Sequence, residues 1–251
     1  MTNYLGIDLS SQPERTAVCV LQQNTPNVFK IQEMKIGCND AQLHDFIKQT
    51  KFIGIDAPFG WPIAFQNAVT TWNTCDWNDS MVWEKVLEGK KILQEKLRLR
   101  ETDRRLQEMK IGVTPLSVST DKISLPAMRA MLLLKRFGVK DKTGMTPFND
   151  KHFYEVYPAA TLACWKMNRA GYKKADAISI RQKIVEQITQ KFSFVDSADD
   201  LISCTKTDHQ LDALICALTA FKASIKQTNW PPPSDLDESV IHQEGWIHLP
   251  I

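Results

Sequence analysis

Tyr4-Leu5-Gly6-Ile7-Asp8 and Phe52-Ile53-Gly54-Ile55-Asp56 are two short apolar runs that finish on the same three residues, Gly-Ile-Asp. A run of that length bounded by turn residues reads as a strand buried on both faces, as in the middle of a parallel sheet. Two such strands with one wording read as parallel neighbours whose ends set Asp8 and Asp56 side by side. In open α/β sheets the C-terminal edge of the strands is where ligands bind. A buried carboxylate is costly unless something cationic meets it, so a divalent metal is the expected partner.

The rest of the chain fits around that pair. Thr16 to Leu21 is β-branched and apolar and reads as a second strand, and Val28 to Ile36 alternates as a third, half-exposed one. Asn39 or Asp40 caps a helix whose stripe is Leu43, Phe46 and Ile47, and the second Gly-Ile-Asp strand follows. Ala57-Pro58-Phe59-Gly60-Trp61-Pro62 ends that strand, because two prolines and a glycine leave no regular continuation. Phe59 to Asp150 then reads as a helical insertion, with one long helix from Ser80 and another from about Ser124 to Phe137 closed by Gly138.

Phe153 to Tyr157 is a fifth strand, and Pro158 suits the first turn of the helix after it. Ala177 to Phe192 is amphipathic. The last long helix runs from Thr207 to about Ile225 and opens with a capping-box pattern, Thr207 and Gln210. Glu244 to Leu249 is a candidate short edge strand. The expected architecture is one domain: a core of residues 1–58 and 151–251, interrupted by an insertion over 59–150.

Composition removes several classes of function. The formal net charge of +2 gives no global field for nucleic acid, so such a partner must be met by a local patch. The six cysteines are scattered without a C-x-x-C pair, which argues against a zinc site and a disulfide framework and for a reducing, cytoplasmic setting. No apolar run approaches the about 18 residues of a membrane span.

Four carboxylates stand where burial should exclude them. Asp8 and Asp56 end strands, Glu155 lies inside Tyr154-Glu155-Val156-Tyr157, and Asp212 interrupts the apolar run Leu211 to Leu218. Asp208 precedes Asp212 by one helical turn and shares its side of the helix. Hard oxygen donors without His or Cys select Mg2+ or Mn2+. Two such ions about 4 Å apart can clamp the attacking and leaving oxygens of a phosphodiester. Structural alternatives stand beside each: Asp8 and Asp56 as turn caps, Asp208 as a helix-dipole partner, Glu155 paired with an arginine.

In order along the chain, Gly6-Ile7-Asp8, Gly54-Ile55-Asp56-Ala57-Pro58-Phe59-Gly60, Arg100-Glu101-Thr102-Asp103-Arg104, Tyr154-Glu155-Val156-Tyr157-Pro158 and Asp208-His209-Gln210-Leu211-Asp212-Ala213-Leu214 resemble the successive motifs of a predicted nuclease family, the domain of unknown function 429 type, in the ribonuclease H-like superfamily. The resemblance implies a five-stranded mixed sheet flanked by helices. It also implies a metal-binding aspartate from strands one and four, here Asp8 and Asp56, and a third acid from the last helix, here Asp212. The family's pattern places a His-Asp pair ahead of that last acid; this chain reads Asp208-His209, in reversed order.

The expected enzyme is therefore a Mg2+- or Mn2+-dependent nuclease with Asp8, Asp56, Glu155 and Asp212 as catalytic acids, acting on nucleic acid or a nucleotide. Asp8, Asp56 and Asp212 bind metal, and Glu155 orients a metal-bound water or a ligand. Arg100 and Arg104, in a basic stretch from Lys90 to Lys110, are candidate phosphate contacts, as is Ser10 after the first strand. Asp103, Asp208 and His209 are candidate supports of the metal ligands, with an ion pair for Asp103 and solvent exposure for His209 as the alternatives. Trp72, Trp77 and Trp83 either stack bases or form the insertion's own core. Two rivals remain: an actin-like ATPase or sugar-kinase relative, since Gly6 to Ser11 resembles that superfamily's first phosphate loop, and an inactive binding module of the same fold.

Overall fold

The computed structural model describes residues 1–71 and 91–251, with side chains from 95 onward in the second part. The strands are β1 (Thr2–Asp8), β2 (Ala17–Thr25), β3 (Val28–Ile36), β4 (Phe52–Asp56), β5 (His152–Val156), β6 (Ser193–Phe194) and β7 (Ile247–His248). They form one sheet in the order β6-β3-β2-β1-β4-β5-β7, all parallel except β2. The sheet thus has seven strands where five were expected. The five long ones are the expected set, and β7 falls within the Glu244–Leu249 stretch read as a candidate edge strand; β6, which pairs through only two residues, was not expected.

The described helices are α1 (Asp40–Lys48), α2 (Ile63–Thr71), α3 (Lys91–Arg98), α4 (Glu101–Glu108), α5 (Ser124–Arg136), α6 (Pro158–Cys164), α7 (Ile178–Lys191), α8 (Ala198–Lys206), α9 (Asp208–Ser224) and α10 (Glu238–Glu244). The described part of residues 59–150 contains α2 to α5 and no named strand. Trp72, Trp77, Trp83 and the expected helix start at Ser80 lie outside the described residues. Among the described residues no helix is long and apolar enough to cross a membrane, and the described cysteines are all free thiols.

Local chemistry sets the helix starts. Asn39 caps α1 by accepting the Gln42 amide, and Gln42 returns a bond to the Asn39 amide. Thr207 caps α9 in the same position, its hydroxyl accepting from the Gln210 amide. α9 is then buried on nearly every side, which its run of Leu, Ile, Ala and Cys allows.

The period of two along the strands sorts the core into two layers. Tyr4, Cys19, Phe29 and Tyr154 face α9 and α7, meeting Leu214, Ala217, Phe221 and Ile184. Leu5, Ile7, Ile53, Ile55 and Phe153 face α1 and α5, meeting Leu43, Ile47, Ala130 and Leu133. Gly6 and Gly54 are direct neighbours in the β1–β4 register and belong to the α9 layer. A Cβ on Gly6 would stand 1.9 Å from the Ala213 carbonyl oxygen, and one on Gly54 would stand 2.3 Å from that of Cys216. The two glycines therefore let the helix backbone rest on the backbone of the sheet, a close approach no other residue permits.

Candidate metal centre

Two residues after each of these glycines, on the same face, come Asp8 and Asp56, also direct neighbours in register. Asp212 arrives from above on α9, one residue before the Ala213 carbonyl that sits over Gly6. The close seat of the helix thus brings three acids remote in sequence together. One carboxylate oxygen from each of Asp8, Asp56 and Asp212 lies within 4.8 Å of the other two. Asp212 is only 1% exposed and Asp8 9%. Three carboxylate oxygens at this spacing are a donor set that could hold a hard divalent cation.

The carboxylates have protein partners as well. Lys173 Nζ is 2.7 Å from Asp212 Oδ2 and 3.8 Å from Asp56 Oδ2. Tyr172 donates its hydroxyl to Asp212 Oδ1 at 2.8 Å. His209 Nδ1 is 2.6 Å from Asp8 Oδ2. The Lys173 side chain is 46% exposed, so its ammonium reaches water by rotating about its own stem.

Burial, followed by the crowding of charges, moves the pKa values of Asp212, Asp56, Lys173 and Tyr172, and a hydrogen bond moves that of His209. Burial pushes Asp212 up to about 6, held back by Lys173 and pushed further by Asp8. Asp56 rises well above the carboxylate range through burial, against the pull of Lys173 and with added repulsion from Asp8 and Asp212. Burial alone would lower Lys173, but Asp212, Tyr172, Asp56 and Asp8 outweigh it and raise it well above the usual lysine value. The hydrogen bond to Asp8 raises His209, against a smaller effect of burial. Tyr172 is raised well above 10, first by burial and then by the Asp212 charge, which keeps its hydroxyl protonated and donating.

Glu155 is not among the three. Its register partner is Ile55, so it points to the opposite layer from Asp56. There it meets Arg100 in a two-pronged pair, Nη2 to Oε1 at 2.6 Å and Nη1 to Oε2 at 2.7 Å, and accepts the Phe59 amide. Arg100 is 1% exposed. It also gives Nε and Nη2 to Asp103 and Nη1 to the Glu244 carbonyl. All five of its N–H donors are engaged, leaving none for a phosphate. Glu244 in turn accepts the amides of Ile63 and Glu101, so this cluster ties the start of α2 and α4 to the C-terminal segment.

Arg104 is half-buried and pairs with Glu101, as does Arg105. Asp208 is half-buried and outside the three-acid group; its charge is one of those raising His209. Ser10 lies at the cavity edge, its hydroxyl accepting the Gln12 amide and its carbonyl accepting from Arg129 at 2.5 Å. Tyr172 and Lys173 were not anticipated. In the sequence they sit in the polar run Gly171-Tyr172-Lys173-Lys174, which carries the signature of an ordinary solvated loop.

Above the acids opens a cavity of about 620 Å3 whose lining includes Asp8, Asp56, Lys173 and His209. No curated protein and no solved structure matches the chain. The family model described as "Protein of unknown function (DUF429)" matches residues 6–236. That span covers most of the sequence and all three acids, and the chain belongs to this family.

Proposed function

We propose that this chain is a metal-dependent nuclease of ribonuclease H-like architecture, hydrolysing phosphodiester bonds with Mg2+ or Mn2+ held by Asp8, Asp56 and Asp212. The carrying observation is the convergence of three carboxylates from β1, β4 and α9 within 4.8 Å of one another, two of which, Asp8 and Asp56, line an accessible cavity while Asp212 lies buried behind Lys173 and Tyr172. The mixed five-strand middle of the sheet, with acids at the ends of its first and fourth strands and on the last long helix, supports the fold assignment.

Asp8, Asp56 and Asp212 would hold a divalent ion there, which when bound would supply positive charge to the reacting phosphodiester and lower the pKa of a bound water. The chain's own groups do the rest. Among the described residues Asp8 Oδ1 has no hydrogen-bond partner while His209 fixes Oδ2, so the carboxylate is oriented before an ion arrives. Tyr172 does the same for Asp212 through Oδ1. Lys173 withdraws its ammonium from Asp212 Oδ2 and carries that charge towards the cavity, where it faces the phosphate. His209 keeps Nε2 available to pass a proton to the departing oxygen.

Isothermal titration of the protein with Mn2+ tests this, followed by hydrolysis of bis-(p-nitrophenyl) phosphate. Wild type is expected to bind Mn2+ and turn over; Asp8→Asn and Asp212→Asn lose both while keeping their melting temperature within a few degrees. Mn2+ binding unchanged in both variants overturns the assignment. The Lys173 contact favours one other reading, a binding module in which the ammonium is a permanent counter-charge. On that reading Mn2+ does not bind to wild type but does bind to Lys173→Met.

A further inference from the structure

The cavity over the acids carries cations as well as carboxylates. Arg15, on the short 3-10 turn Pro13–Arg15, and Lys122, on the loop before α5, are exposed and line it together with Arg169. None of the three is in an ion pair among the described residues. Arg169 is seated by Nη2 on the carbonyls of Ile111 and Gly112, and its buried Nε has no partner. A buried guanidinium N–H without an acceptor is a donor held in reserve, since leaving it unmet costs stability.

Part of the lining is apolar: Pro115, Leu116 and Ile123 from the loop before α5, and Pro126 in its first turn. The loop is braced from within, because the Ser117 amide donates to Asp121 at 2.7 Å and the Ser117 hydroxyl accepts the amides of Ser119 and Thr120. Leu116 is nonetheless 39% exposed. A preformed wall of that kind beside unpaired cations matches a ligand with a flat apolar part and an anionic part.

Size narrows the ligand. The volume of about 620 Å3 lies inside the range of about 300–1,000 Å3 typical of small-molecule sites. A duplex reader instead spreads its contacts over a broad basic surface of roughly 1,000–2,500 Å2. Asp8 and Asp56 line the cavity and Asp212 lies behind them, 1% exposed, and a paired backbone cannot descend there without unstacking.

We propose that this cavity takes a phosphoester of one- to two-nucleotide size, with its non-scissile anionic groups on Arg15, Lys122 and Arg169 and its base against the Leu116–Ile123 wall. The proposal rests on the nuclease reading for what happens to the scissile phosphate, but the cavity's cations and wall stand apart from the metal ligands.

The test titrates full-length protein with the linear dinucleotide pApA and, separately, with a 20-base-pair duplex, each with and without Mn2+. Mn2+ binding is measured on the same samples. Tight pApA binding is expected, weakened at least tenfold in Arg15→Ala/Lys122→Ala, whose exposed positions leave the fold intact, and in Arg169→Gln. The duplex should bind at least tenfold more weakly than pApA. A duplex that binds as well as pApA, or pApA affinity indifferent to these substitutions, overturns the inference. If Mn2+ binds and pApA does not, this inference fails and the metal site stands. If pApA binds through the three cations and Mn2+ does not bind, the cavity assignment stands and the nuclease reading falls.

Discussion

Lys173 Nζ sits 2.7 Å from Asp212, so any divalent ion must first replace an ammonium. An ion pair with one half-exposed member is worth about 1 kcal/mol or less, because water screens it. Lys173→Met is therefore expected to tighten Mn2+ by up to about fivefold in a calorimetric titration; weaker binding would show that the ammonium helps hold the ion's ligands in place. Protons compete as well. Asp212 titrates at about 6, and a protonated carboxyl is a poor ligand. Mn2+ affinity should hold from pH 8 to about pH 7 and fall steadily below about pH 6, checked by titrations at four pH values. The three acids were legible in the sequence because each interrupts an apolar pattern. Lys173 and Tyr172 were not, since a tyrosine and a lysine in a polar loop break no pattern, and only folding aims them at Asp212. His209 read equally as an exposed second residue of a helix; the seating of α9 over Gly6 brings it within 2.6 Å of Asp8.

At the level of elements, Gly-Ile-Asp is a two-part device: the glycine admits α9, and the aspartate two residues on meets what the helix brings. The repeated wording made the paired strands legible, but not why the glycines are there, which depends on a helix some 200 residues away in the chain. Gly54→Ala would place its Cβ 2.3 Å from the Cys216 carbonyl. Overpacking of this kind costs roughly 1–3 kcal/mol, more where backbone must move. Urea unfolding should show at least that loss, with Mn2+ binding weakened as α9 lifts Asp212 away. Preserved stability would mean the helix is not seated as described. Glu155 shows the converse. Its place in an apolar strand marked it as special, but which layer it faced depended on register with β4, which no local pattern encodes. Arg100 is its partner, and removing one member of a buried ionic cluster leaves the others uncompensated. Arg100→Leu is expected to lose about 3–5 kcal/mol of stability, measured by denaturant, with the Mn2+ site intact in whatever fraction stays folded.

Across the whole molecule, two buried sites respond to pH in opposite directions. His248 is fully buried between Thr228 and the Thr143 carbonyl, and burial lowers it to about 4. Its folded value lies below its unfolded one, so the stability it contributes is complete above about pH 6.5 and is lost as pH falls towards 4. Asp212 is the reverse: raised to about 6 from an unfolded value near 4, it favours the folded state most at low pH and loses that as pH rises through 6. Each shift is worth roughly 3 kcal/mol, so between pH 6 and 4 the two offset one another in metal-free protein. Bound Mn2+ breaks the balance, because an ion that binds only the folded chain stabilises it by mass action and needs the acids ionised. A large Mn2+-induced rise in melting temperature is therefore expected at pH 7.5 and none at pH 5, where Asp212 is mostly protonated. Thermal melts of wild type and Asp212→Asn, with and without Mn2+ at both pH values, check this: the shift should appear only for wild type at pH 7.5. An equal shift at pH 5 would mean that the ion binds away from the three acids, on some surface whose groups stay charged in acid.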